Sequence, residues 1–225
     1  MFPADHVWNI PVDTLPLDAN SGAYVATIGA GAPAHADFGT VYNSAPNGIP
    51  YATVPGTQAP VAVSFSYAGE SDAGPYPIPP DAPIEGGPGS GGDRHVLIVD
   101  RDACKLYELF AAYPNANGSW SAGSGAVYDL RGYALRPDTW TSADAAGLPI
   151  LPGLVRYDEV LAGEITHALR FTALRRRATP TCGPLATRRR RTAVRRTHPW
   201  VSASVSGPAS TSPASVRSCR SSCGR

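Results

Sequence analysis

Residues 93–110, D-R-H-V-L-I-V-D-R-D-A-C-K-L-Y-E-L-F, constrain the fold more than any other stretch of the chain. Residues 95–99 and 105–110 are strand-length runs rich in Val, Ile, Leu and Tyr, and the link Asp100-Arg101-Asp102-Ala103-Cys104 between them is short enough for a hairpin. With symmetric pairing about that link, the period of two puts His95, Leu97, Val99, Leu106, Glu108 and Phe110 on one face. The face is apolar apart from one histidine and one carboxylate. A hairpin of this kind at the centre of the chain predicts a mainly β fold: a sandwich-like antiparallel sheet domain with few short helices.

The flanking sequence fits that frame. Residues 49–54 and 61–67 are further strand candidates bounded by Asn47-Gly48, Pro55-Gly56 and Ala68-Gly69. In V-A-V-S-F-S-Y the apolar residues alternate with small or hydroxyl residues, so one face is buried and the other wetted. Residues 120–130 read as a strand interrupted at Gly123 or Gly125, and residues 164–172 as a last strand with Ile165, His167, Leu169 and Phe171 on one face. Pro3, Pro11 and Pro16 predict an extended N-terminal arm over residues 1–22. Residues 21–28 fit a short helix or strand, residues 141–147 a helical turn closed by Gly147, and residues 157–161 a helix ending at Gly163. The segment 69–92 is too dense in proline and glycine for either regular element. Its Glu70, Asp72, Asp81 and Glu85 have no Lys or Arg among them, which suits either a solvated acidic loop or calcium as a bound cofactor.

Charge divides the chain in two. Residues 1–173 hold all 18 acidic groups and seven basic ones, a net of −11, whereas residues 174–225 hold 12 arginines and no acid; the overall +1 conceals this. Cys104 is alone in the first part, so that part is not a disulfide scaffold. Cys219-x-x-x-Cys223 lacks the second close pair that a zinc site needs. No apolar run is long enough for a membrane span, and no signal peptide is evident in the chain as written.

Taken as it stands, the segment 174–225 is a disordered, Arg/Ser/Pro-rich tail that would bind nucleic acid through phosphates. Its composition is also what GC-rich coding DNA gives in the wrong frame. Joining the third base of each codon to the first two of the next permits 181–187 to be re-read as Y-V-W-P-A-R-H. In the same frame 198–215 becomes P-P-M-G-Q-R-F-R-L-R-A-S-F-D-I-S-G-F. A frameshift near Leu174 is therefore the expectation, leaving a β-rich domain of residues 1–173 that is incomplete at its C-terminal side.

These re-read segments join four strings of the chain: F-P-A-D-H-V-W-N-I-P-V-D, E-S-D-A-G-P-Y-P-I-P-P-D-A-P-I-E-G-G, the hairpin, and the run from Thr141 to Thr172. Together they resemble a family of uncharacterised bacterial proteins, mostly exported, over about residues 2–173. The resemblance implies a leader upstream of Phe2, an extracellular location and further strands where the arginine-rich tail now stands. It carries no established activity.

For chemistry, His95, Glu108 and His167 are the candidate catalytic residues, with Asp158 and Glu159 in reserve, because a histidine beside a carboxylate can serve as general base. Trp8, Trp120 and Trp140 are candidate ligand contacts, together with Tyr76 and the Asp5-His6-Trp8 cluster. Aromatic rings and unpaired carboxylates are what polysaccharide recognition uses, and glycosidic cleavage commonly needs two carboxyl groups. Each of these residues also has a plainer structural reading, as core filler or satisfied hydrogen-bonding partner. The absence of G-x-S-x-G, H-E-x-x-H and phosphate-loop motifs leaves a non-catalytic surface or matrix protein equally open.

Overall fold

The computed structural model describes residues 1–33, 41–42 and 44–171; the readings made for residues 174–225 fall outside them. Among the described residues nine strands form three sheets. A two-stranded sheet pairs β1 (Val41–Tyr42) with β2 (Ala45–Pro46). The large sheet has the order β3 (Tyr51–Val54), β5 (Val96–Asp100), β6 (Lys105–Phe110), β9 (Ser124–Asp129). The small sheet has the order β4 (Val63–Phe65), β8 (Trp120–Ala122), β7 (Tyr113–Pro114). Among the described residues two α-helices accompany them, α1 (Ser21–Ile28) and α2 (Tyr157–Ala162). Both larger sheets are mixed, because β3 runs parallel to β5 and β4 runs parallel to β8.

The predicted hairpin is β5–β6, with Leu97 opposite Glu108 and Val99 opposite Leu106. Its loop closes because the Asp100 carboxylate accepts the backbone N–H groups of Asp102 and Ala103, at 3.0 and 2.8 Å. Every residue of β5 is buried, as expected of a strand covered on both faces. On one face Leu97, Val99, Leu106, Ala126 and Tyr128 meet Phe2 and Trp8 from the N-terminus and Ala143, Ile150, Leu151 and Leu154 from beyond β9. On the other, Val54, Val96, Ile98 and Leu109 meet Trp120 and Ala122 of the small sheet and Tyr76, Ile78, Ala82 and Ile84 of the Pro/Gly segment. The two sheets thus pack face to face, with irregular chain completing both layers.

Several elements differ from expectation for identifiable reasons. The stretch 120–130 is two strands in different sheets, and the chain changes sheet at Gly123. A side chain there would lie 2.7 Å from the Phe110 ring. Residues 164–171 contain no strand: Ala168 N–H goes to the Trp8 carbonyl and Arg170 N–H to that of Gly153, neither of which belongs to a strand. Residues 141–147 hold one turn and no longer helix: Gly147 N–H goes to the Asp144 carbonyl at 3.1 Å, the Ser142 hydroxyl caps it by accepting Asp144 N–H at 2.8 Å, and Gly147 closes it at a φ of 73°. The N-terminal arm is coiled rather than extended, with turns closed by His6 N–H to Pro3 O and Asn9 N–H to His6 O. Helix α2 does end at Gly163, whose φ of 71° lies in the left-handed region.

Candidate functional site

The candidate catalytic residues are all well placed by the fold, but they are divided among separate clusters. His95, at the entrance to β5, faces the Pro/Gly segment. Its Nδ1 lies 2.6 Å from Glu85 Oε2 and its Nε2 lies 3.2 Å from the carbonyl of Ala143. Both ring nitrogens therefore meet acceptors, which only the doubly protonated ring satisfies. Burial opposes that charge, and the Glu85 hydrogen bond and charge outweigh it, so the imidazole pKa is raised and that of Glu85 is lowered.

Glu108 is 0 % exposed. Its carboxylate accepts the N–H of Ile150 at 2.9 and 2.8 Å and of Leu151 at 2.9 Å, holding the start of a 3-10 turn at Leu151–Gly153. Burial pushes its pKa up to about 6, against the lowering effect of those amides and of the Arg170 and His95 charges. His167 stands apart, with Nε2 at 3.0 Å from Glu159 Oε1. Glu159 also accepts the Arg156 backbone N–H at 2.9 Å and pairs with its guanidinium, closing the first turn of α2. Asp158 sits beside it on α2, where its charge contributes to raising the pKa of Tyr51. The trio is thus brought together only at His95 and Glu108, and each member is held by other groups of the chain.

Asp72 and Glu70 of the Pro/Gly segment find their partners in distant sequence. Asp72 pairs with Arg136 and accepts Val127 N–H at 2.8 Å, while Glu70 accepts the Thr141 hydroxyl at 2.8 Å. Arg136 also donates to the Glu70 carbonyl at 2.8 Å and lies 5.2 Å from the Trp140 ring centroid. Glu85 is taken by His95 and Asp81 is exposed. Among the described residues no three His, Cys, Asp or Glu side chains converge as a metal site, so the acids suggested for calcium are dispersed.

The aromatic candidates fare similarly. Trp8 and Trp120 are each only 5 % exposed and fill the two cores, and Tyr76 is fully buried. His6 is buried too, stacked on Phe2, and its Nδ1 accepts Trp8 N–H at 3.2 Å; burial lowers its pKa. Among the residues whose side chains are described, Tyr113 of β7 presents an aromatic ring to solvent from a sheet: it is 50 % exposed, with the Arg94 guanidinium 4.2 Å from its centroid. Tyr113 is the cross-strand partner of Ser121, and Ser121 of Ser64, so the three share the outer face of the small sheet; Trp120, Val63 and Ala122 share its inner one. Hydroxyl and amide groups run across that outer face. Ser64 Oγ reaches Ser121 Oγ at 3.3 Å, and Asn115 Nδ2 reaches Ser121 Oγ at 3.1 Å and Ser119 Oγ at 2.9 Å. The wetted face of β4 is legible in its alternating sequence but this ladder is not, because the β4–β8 pairing joins residues far apart in the chain.

No described helix is long and apolar enough to cross a membrane. The chain matches no family model, no curated protein and no solved structure.

Proposed function

We propose that this chain is an exported, non-catalytic carbohydrate-binding protein whose contact surface is the outer face of the small sheet. The observation that carries this reading is the Ser64–Ser121–Asn115 ladder beside the half-exposed ring of Tyr113. Hydroxyls and amides donate and accept in the manner that sugar hydroxyls require, and an aromatic ring offers an apolar body for the C–H face of a pyranose. Export follows from the resemblance over residues 2–173. The non-catalytic part is supported by the engagement of His95, Glu108 and Glu159 in contacts that hold the chain together.

The test is retention of the purified protein on insoluble cellulose and chitin and in gels containing soluble β-glucan, with Tyr113→Ala alongside. Loss of the ring should weaken binding about tenfold, or ~1.4 kcal/mol. Equal retention of Tyr113→Ala would move the surface elsewhere, and no retention of the wild type on any glycan would end the carbohydrate reading. Release of new reducing ends would make it an enzyme. Resequencing the codons for residues 170–187 decides whether the arginine-rich segment, and with it nucleic-acid binding, belongs to the protein.

A further inference from the structure

The segment 142–151 crosses the Leu97–Leu106–Ala126 side of the large sheet as a strap, and its attachments concern ionisable groups to an unusual degree. Ser124 Oγ donates to the Ser142 carbonyl at 2.7 Å, His95 Nε2 reaches the Ala143 carbonyl at 3.2 Å, and Arg170 pairs with Asp144. At its far end Ile150 and Leu151 donate to the Glu108 carboxylate. We propose that this strap is a proton-controlled cover: it is held closed on the acid side of neutrality and loosens as the pH rises.

Two groups drive it in the same direction. A neutral His95 keeps one N–H, and Glu85 at 2.6 Å is the stronger claimant for it. Nε2 then presents a lone pair to the Ala143 carbonyl, and that anchor is lost. Glu108 is easier to protonate under the closed strap than in water, because closure removes its solvent. Closing therefore takes up protons at both ends, and by linkage rising pH favours the open form. The other charges facing these groups are Asp93 and Glu85 on His95, and Arg170, with Tyr128 and Asp144 near it, on Glu108. Glu85 works in the opposite sense, but only below the ordinary carboxylate range, since its pKa is lowered. Opening would uncover a carboxylate on the floor of an apolar sheet face.

Hydrogen exchange on the full chain reads this directly, with each amide rate divided by its intrinsic rate at that pH. With Glu108 at about 6 when closed and 4.5 when open, protection of the Ile150 and Leu151 amides should fall at least about eightfold from pH 5 to pH 8. Amides of Val99 and Leu106 should change less. Glu108→Gln should remove the eightfold part and leave the His95 part, and His95→Gln should do the reverse. Flat protection in the wild type, an unchanged slope in both variants, or strap and central-strand amides falling together would each overturn the proposal. If His95→Gln does not fold, the wild-type profile and Glu108→Gln still decide it.

Discussion

Glu108 shows how one side chain can be indispensable and costly at once. It lies opposite Leu97 and Ala126 in the middle of the large sheet, where a hydrocarbon would suit the surroundings, yet it satisfies two backbone N–H groups that no strand or helix serves. Its raised pKa has a definite sign in stability. The contribution is fully present below 4.5, the unfolded value, and disappears as pH rises through about 6, an effect of about 2 kcal/mol. Glu108→Ala should be worse than the pH effect alone, because it orphans the Ile150 and Leu151 amides at about 1–3 kcal/mol each. Urea unfolding at pH 7 checks this: a midpoint equal to that of the wild type would mean that the amides find other partners. Glycine carries the opposite lesson at Gly125, where a Cβ would stand 2.6 Å from the Phe65 ring and 2.7 Å from the Tyr76 hydroxyl. Gly125→Ala should cost about 1–3 kcal/mol by overpacking, measured in the same urea series.

At the scale of elements, the parts of the fold that announce themselves in the sequence are those fixed by near neighbours. Alternation and a five-residue link specify β5–β6 and its facing residues, and Gly163 marks the end of α2. What could not be read is pairing across long separations. Nothing near Asp72 or Glu70 suggests Arg136, and nothing in β4 suggests β8 as its parallel neighbour. The same limit hides what surrounds the candidate residues. His95 and Glu108 share a face as expected, but their partners, Glu85 and the Ile150–Leu151 amides, come from segments with no regular period. Such segments also finish the large sheet: Ser71 and Asp72 accept the N–H groups of Gly125 and Val127, and Asp72 N–H goes to the Gly125 carbonyl. The outer edge of β9 is therefore occupied by a loop, which is one of the ways proteins blunt an exposed strand.

For the whole molecule, the layers are well covered in the middle and poorly covered at the two ends of the described chain. Leu17 is 88 % exposed, and Leu161 and Phe171, 69 % and 70 % exposed, lie at the other end. Val160, Leu161, Ile165, Leu169 and Phe171 follow one another in the sequence as exposed apolar side chains, and exposed apolar surface promotes self-association. Leu161→Lys combined with Phe171→Ser should lower both light scattering and the binding of an apolar dye at equal protein concentration. Unchanged values would show that the self-associating surface lies elsewhere.

The crossing at Gly123 has a mechanical meaning. Because β8 of the small sheet runs straight into β9 of the large one, tension applied to the outer face travels along the covalent chain into the central sheet. There it meets the β6–β9 ladder, from Lys105 opposite Asp129 to Phe110 opposite Ser124, pulled lengthwise so that its hydrogen bonds bear the load together. A single-molecule pull with handles at Ser121 and Lys105 should give one high-force rupture, and a low, stepwise unzipping would show that the sheets part before the load is shared. A protein anchored by this face to a fibre would resist being dragged off by its own unfolding.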